Sequence, residues 1–163
     1  MNLRENILFL LEHYNQMRAE IDTLQYELEH LGQLRDSEMI EAMTFSVPTS
    51  ERVSTGGTSD KTTGIALNYQ ERMTQLQKDA VNEITGRLAH LTTTVERLDF
   101  YIGKLPALES AILREHYFEK YSWRELQDLK GISTKTLLRR RDEAVRRLVE
   151  LYEPLVRMGL LME

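Results

Sequence analysis

Apolar side chains recur at Leu3, Ile7, Leu10, Tyr14, Met17, Ile21, Leu24, Leu28 and Leu31, in alternating steps of four and three. This heptad seam, with Glu12, Glu20, Gln25 and Glu29 filling other faces, predicts one long amphipathic helix over 1–35. The period fails near Asp36. Ser, Thr, Gly and Pro crowd Phe45 to Ser50 and Ser54 to Ser59, so 36–62 reads as a Ser/Thr/Gly-rich linker, with room for a short helix near Ser37 to Met43. A second seam through Tyr69, Met73, Leu76, Ala80, Ile84, Leu88, Leu91, Val95, Leu98 and Ile102 predicts another long helix over 63–104. Two such seams should pair, as a hairpin in one chain or as a coiled coil between chains.

Beyond Leu105 the pattern shortens into three helices spanning 105–153. Pro106 suits a first helical position, where its missing N–H is no loss. Ser122-Trp123-Arg124-Glu125 has the spacing of a capping box and starts a second helix that Gly131 ends. Ser133 caps a third, expected to stop before Pro154 and leave 154–163 as a tail. Leu126, Leu129, Ile132, Leu137, Ala144, Leu148 and Leu151 are expected to face inward. The fold class is therefore all-α: two long heptad-patterned helices, as hairpin or coiled coil, plus a C-terminal three-helix helix-turn-helix domain.

Charge sharpens the picture. The 163 residues carry a net charge of −5, yet residues 1–105 hold 10 basic and 16 acidic side chains and residues 106–152 hold 10 and 8. Lys130 to Arg147 alone has seven basic residues against Asp142 and Glu143. Two helices joined by a glycine turn, the second strongly basic, suit a major groove about 12 Å wide. Double-stranded DNA is the expected partner. Thr134, Lys135, Leu138 and Arg139 are the candidate base contacts, and Arg124, Lys130, Ser133, Arg141, Arg146 and Arg147 the candidate phosphate contacts.

Other chemistry is not indicated. With no cysteine there is no disulfide or thiolate site, and His13, His30, His90 and His116 lack metal-ligand spacing. Neither a phosphate-binding loop nor a nucleophile elbow occurs, so no enzyme, catalytic residue, metal or cofactor is expected. No apolar run approaches the roughly 18 residues of a membrane span and no secretory leader opens the sequence, which leads us to expect a cytoplasmic protein without a membrane partner.

The segment from Glu125 to Leu148 resembles the helix-turn-helix of region four in bacterial sigma factors. The likeness rests on the Gly131-Ile132-Ser133 turn, Thr136 followed by aliphatic Leu137, Arg140 four residues after that threonine, and the later Ala144 and Leu148. It implies promoter reading by Thr134, Lys135 and Arg139. Gln127 departs from a usual small residue, which bears on how tightly the two helices cross, and Lys130 departs from a frequent leucine. Over the whole chain the sequence resembles phage-encoded transcription regulators of the RinA and ArpU kind, with a central Gly56-Gly57, Ser59-Asp60, Gly64-Ile65-Ala66 stretch. That resemblance implies phage or prophage late-gene control in the cytoplasm of a bacterial host. Homo-oligomerisation, with a dimer favoured, would place two modules on half-sites, and host RNA polymerase is a further candidate partner. The alternatives are the DNA-recognition subunit of a packaging terminase, or a sigma-like module acting mainly through polymerase.

Overall fold

The computed structural model describes residues 2–44 and 59–161, and every regular element among them is a helix, with no strand. The all-α class holds. The elements are α1 (Leu3–Glu12), α2 (Tyr14–Thr44), α3 (Ser59–Ile102), α4 (Ala107–Leu113), a π-helical turn (Arg114–Phe118), α5 (Trp123–Lys130) and α6 (Thr134–Arg157). The chain divides into two compact units, residues 1–21 with 91–163, and residues 22–90.

In the first unit, α1 opens on a reciprocal cap. The Glu5 N–H donates to the Asn2 side chain at 2.9 Å, and Glu5 Oε2 accepts from the Asn2 N–H at 3.0 Å. The single helix expected over 1–35 is interrupted at His13, whose N–H donates to the Phe9 carbonyl at 3.0 Å while its ring Nδ1 lies 2.8 Å from the same oxygen. The expected seam residues Ile7, Met17 and Ile21 are buried, and one position differs: Leu11 is buried where the heptad places Leu10, which is half-buried. The cause is tertiary, because Ile7 and Leu11 enter a core with Leu98, Ile102, Leu105, Leu113, Tyr117, Ala144, Val145, Leu148 and Tyr152. Full burial is worth roughly 1.5–3 kcal/mol per large apolar side chain, more than the net worth of a hydrogen bond, roughly 1 kcal/mol.

Three other boundaries move. α2 continues to Thr44 through residues read as linker, absorbing the short helix expected near Ser37, and α3 begins at Ser59. The rest of that linker, 45–58, lies outside the described residues. α6 passes Pro154 and ends at Arg157, so the expected tail is partly structural: Leu155 and Leu161 pack on the core. An interior proline costs about 3 kcal/mol in a helix, which burial of Tyr152 and the packing of Leu155 offset here. Pro106 is the residue before α4 rather than its first, with ψ at 145°.

In the unit of residues 22–90 the seam positions Leu24, Leu28 and Leu31 of α2 and Ala80, Ile84 and Leu88 of α3 are half-buried. Met73 and Leu76 are exposed, and none of residues 22–31 and 71–90 is fully buried.

Candidate nucleic-acid interface

Local sequence builds α5 and α6 as their caps predict. The Glu125 N–H donates to Ser122 Oγ at 3.2 Å, and Glu125 Oε2 accepts from the Ser122 N–H at 2.8 Å. Hydrogen bonding to the carboxylate from the Ser122 main chain, and then from its side chain, holds the Glu125 carboxyl below its ordinary range. Gly131 closes α5 at φ 65°, a left-handed conformation that a side chain would strain. Ser133 Oγ accepts the Thr136 N–H at 3.3 Å and starts α6. Ile112, Leu126 and Leu137 form a small core between α4, α5 and α6, with Trp123 and Ile132 against it.

Leu126, Leu137, Ala144 and Leu148 are buried, and Ile132 and Leu151 half-buried. Leu129, expected inward, is 65% exposed. The inward line of α5 runs through Trp123, Leu126 and Lys130, at steps of three and four, so Lys130 takes the place that Leu129 would need.

The π-helical turn explains why Lys130 points in. Its five side chains reach different elements: Arg114 pairs with Asp99 of α3 at 3.1 Å, and Glu115 receives the Lys130 ammonium at 2.9 Å. His116 stacks on Trp123 at 3.8 Å, Phe118 on Tyr14 at 3.6 Å, and Tyr117 is buried in the main core. Burial pushes the His116 imidazole below its ordinary value, helped by the charges of Arg141 and Lys120 and opposed by the bond between Nδ1 and the Tyr121 carbonyl. Lys120 closes this turn at φ 65°, a conformation rare for a residue with a side chain.

The outward face of α6 gathers all four expected base contacts. Thr134, Lys135, Leu138 and Arg139, with Asp142, Glu143 and Arg146, line a shallow groove of about 730 Å³. Lys135 and Arg139 are exposed and, among the described residues, make no ion pair or hydrogen bond; Arg124 on α5 is likewise exposed and unpaired. Thr134 is already engaged: its N–H and its hydroxyl both donate to Gln127 Oε1, at 3.0 and 2.7 Å.

Most expected phosphate contacts are bound within the protein. Lys130 is on Glu115, and Arg141 bonds Asp142 at 2.8 Å with its guanidinium 5.7 Å over Trp123. Arg146 pairs with Glu150 at 2.8 Å, both well exposed. The Ser133 hydroxyl serves Thr136, whereas its main-chain N–H, the group expected to meet a phosphate, has no acceptor among the described residues. Arg147 meets Glu109 of α4 at 3.1 Å, and Arg140 approaches the same carboxylate at 3.8 Å while bonding Glu143 at 3.2 Å. Glu109 is 1% exposed, and nothing in our sequence reading singled it out. Its signal was a carboxylate inside the apolar run Ala107 to Leu113, answered by two arginines seven residues apart on α6.

Among the described residues no group of His, Asp and Glu could hold a metal ion, and no helix is long and apolar enough to cross a membrane. Compared with known proteins, the chain matches no family model, no curated protein and no solved structure.

Proposed function

We propose that the chain is a sequence-specific DNA-binding transcriptional regulator of the phage or prophage kind, in which α5, the Gly131 turn and α6 act as a helix-turn-helix. One observation carries this reading: Lys135 and Arg139 stand exposed and unpaired on one face near the start of α6, beside Leu138, while the neighbouring basic residues are neutralised from inside. A guanidinium free of internal partners can bond a guanine edge in bidentate fashion, and an aliphatic side chain such as Leu138 can meet a thymine methyl. Arg124 and Arg146 are the phosphate contacts best placed to serve, Arg124 because it is free and Arg146 because its exposed pair with Glu150 exchanges readily. Lys130 and Arg147 act as scaffold. The half-buried seam of residues 22–90 supports association of two chains, which would set two modules on half-sites.

Selecting bound fragments from the source genome, with affinity followed over salt for wild type and Arg139→Ala, tests the reading. A discrete site that blurs in the variant supports it. Uniform binding by both proteins, or none, sinks it. A second reading, a sigma-like module that acts through RNA polymerase, is favoured by the exposed Leu129 on α5, an apolar group a protein partner would cover. DNA affinity that appears only with polymerase, and is lost in Leu129→Ser, would select it.

A further inference from the structure

We infer that Gln127, on α5 and outside the helix that enters the groove, is a DNA-contacting residue whose side-chain amide donates to a backbone phosphate at the groove edge. The inference rests on the DNA-binding reading and adds a contact to it. Gln127 Oε1 accepts two hydrogen bonds from Thr134, the main-chain N–H at 3.0 Å and the hydroxyl at 2.7 Å. A main-chain N–H can only donate, so the atom that meets it must be the amide oxygen. The orientation of the amide is thereby fixed, and Nε2 with its two N–H donors turns away from Thr134. Among the described residues nothing in the protein accepts from Nε2, and Gln127 is exposed.

An exposed glutamine normally keeps its rotamer freedom, and ordering it costs entropy. Here the cost has already been met by the bonds to Thr134, so two donors stand preorganised beside the first residue of α6. The surroundings select a negatively charged acceptor. The start of α6 carries the positive end of the helix dipole, and Lys135 and Arg139 add two unpaired cations. In a helix-turn-helix the first helix crosses the DNA backbone while the second lies in the groove, so a donor on α5 meets phosphate before it meets a base. The same bonds commit the proton of the Thr134 hydroxyl, so toward a base it can only accept. The donors left for base reading on this face are those of Lys135 and Arg139, with Leu138 beside them.

The tie to Thr134 and the contact to phosphate are separable by substitution. Gln127→Glu keeps an oxygen for both Thr134 donors and replaces the outward amide with a second oxygen. A residue that only tied the two helices would tolerate this change. As a phosphate contact it should lose on the order of tenfold to hundredfold in affinity, on the selected site and on unrelated duplex alike, with an unchanged thermal midpoint. The deficit should persist as salt rises, since salt screens repulsion between exposed charges more than a Debye length apart but not a carboxylate set against the phosphate at the contact itself. Binding as tight as wild type, or a deficit that vanishes at high salt, overturns the contact.

Methylphosphonates placed one at a time along the selected site give a second measurement that does not depend on the stability of the glutamate variant. Wild type should weaken at one phosphate whose neutralisation costs Gln127→Met nothing further. If no such phosphate exists, the inference is wrong. Wild-type protein that binds no duplex at all would overturn the DNA reading itself, so the two failures are told apart by the unmutated chain.

Discussion

On the side of α6 that meets α4, Arg140 and Arg147 close on Glu109, a carboxylate almost wholly removed from water. On the side that faces away, Lys135 and Arg139 have the same sign of charge and, among the described residues, no partner. Both sides belong to one basic run, and only the topology of the three helices separates them. Of the seven basic residues from Lys130 to Arg147, five are paired inside the protein, so a charge count along the sequence overstates what a polyanion would meet. The inner charges hold α6 in place. The outer ones are free to bind.

The strongest way to break the comparison is to remove an inner charge. Arg147→Ala leaves Glu109 buried with only the longer contact to Arg140. Losing one partner of a fully buried pair costs about 3–5 kcal/mol; because Arg147 is partly exposed, about 2–3 kcal/mol is expected, read as a lower urea midpoint with unchanged slope. Replacing Glu109 with leucine in the same chain should recover most of that loss, since no uncompensated carboxylate remains. A single variant as stable as wild type would show that Glu109 needs no counter-charge.

The outer side should behave in reverse. Arg139→Ala is expected to leave stability within about 0.5 kcal/mol of wild type, as surface changes do. In DNA binding it should cost about 1–3 kcal/mol and relax preference at one base pair. Fluorescence anisotropy on the selected site and on single-base variants measures both effects. Loss of stability without loss of preference would erase the distinction between the two sides.

How far each side was legible follows from what sets it. The outer stripe could be read because local signals place it: the Ser122 to Glu125 spacing, the left-handed Gly131 and the Ser133 cap fix where α6 begins, and periodicity then puts Thr134, Lys135, Leu138 and Arg139 on one face. The inner side depends on packing between distant segments. No local pattern marks Glu109 as the partner of Arg140 and Arg147, more than thirty positions away, or shows that Lys130 displaces Leu129 by reaching Glu115. The break at His13 was hidden for the same reason, since the heptad runs on through it and only the shared core of Ile7, Leu11 and α6 reveals the turn. The signal at Asn2 and Glu5 was local and readable, being the same four-residue cap that marked Ser122.

Acidity offers a gentler test, because it acts on the inner side through His116. That imidazole is stacked on Trp123 and pushed below its ordinary value, near 6.5, by burial and by the charges of Arg141 and Lys120. In the folded chain it therefore binds a proton less readily than in the unfolded chain. The contribution to stability is complete above about pH 6.5 and falls as pH drops toward the folded pKa. Denaturation midpoints measured from pH 7.5 to 5 should decline, and His116→Phe, which keeps the stacked ring, should flatten the decline. An equal slope in both proteins would place the titration elsewhere.

Arg146 is the intermediate case, and the smallest effect tests the comparison most finely. It lies on the outer face with Lys135 and Arg139 yet bonds Glu150 at 2.8 Å. A pair this exposed is worth about 0–1 kcal/mol, so a phosphate can take the arginine from Glu150 at little cost, whereas Glu109 would be left buried and uncompensated if Arg147 departed. Being paired and being unavailable are then different properties, and burial of the partner decides between them. Arg146→Ala should shift stability by less than about 0.5 kcal/mol, weaken binding evenly across sequences, and reduce the slope of log affinity against log salt by about one. An unchanged slope would mean that exposed pairing is enough to silence a cation, and the free stripe would shrink to Lys135 and Arg139.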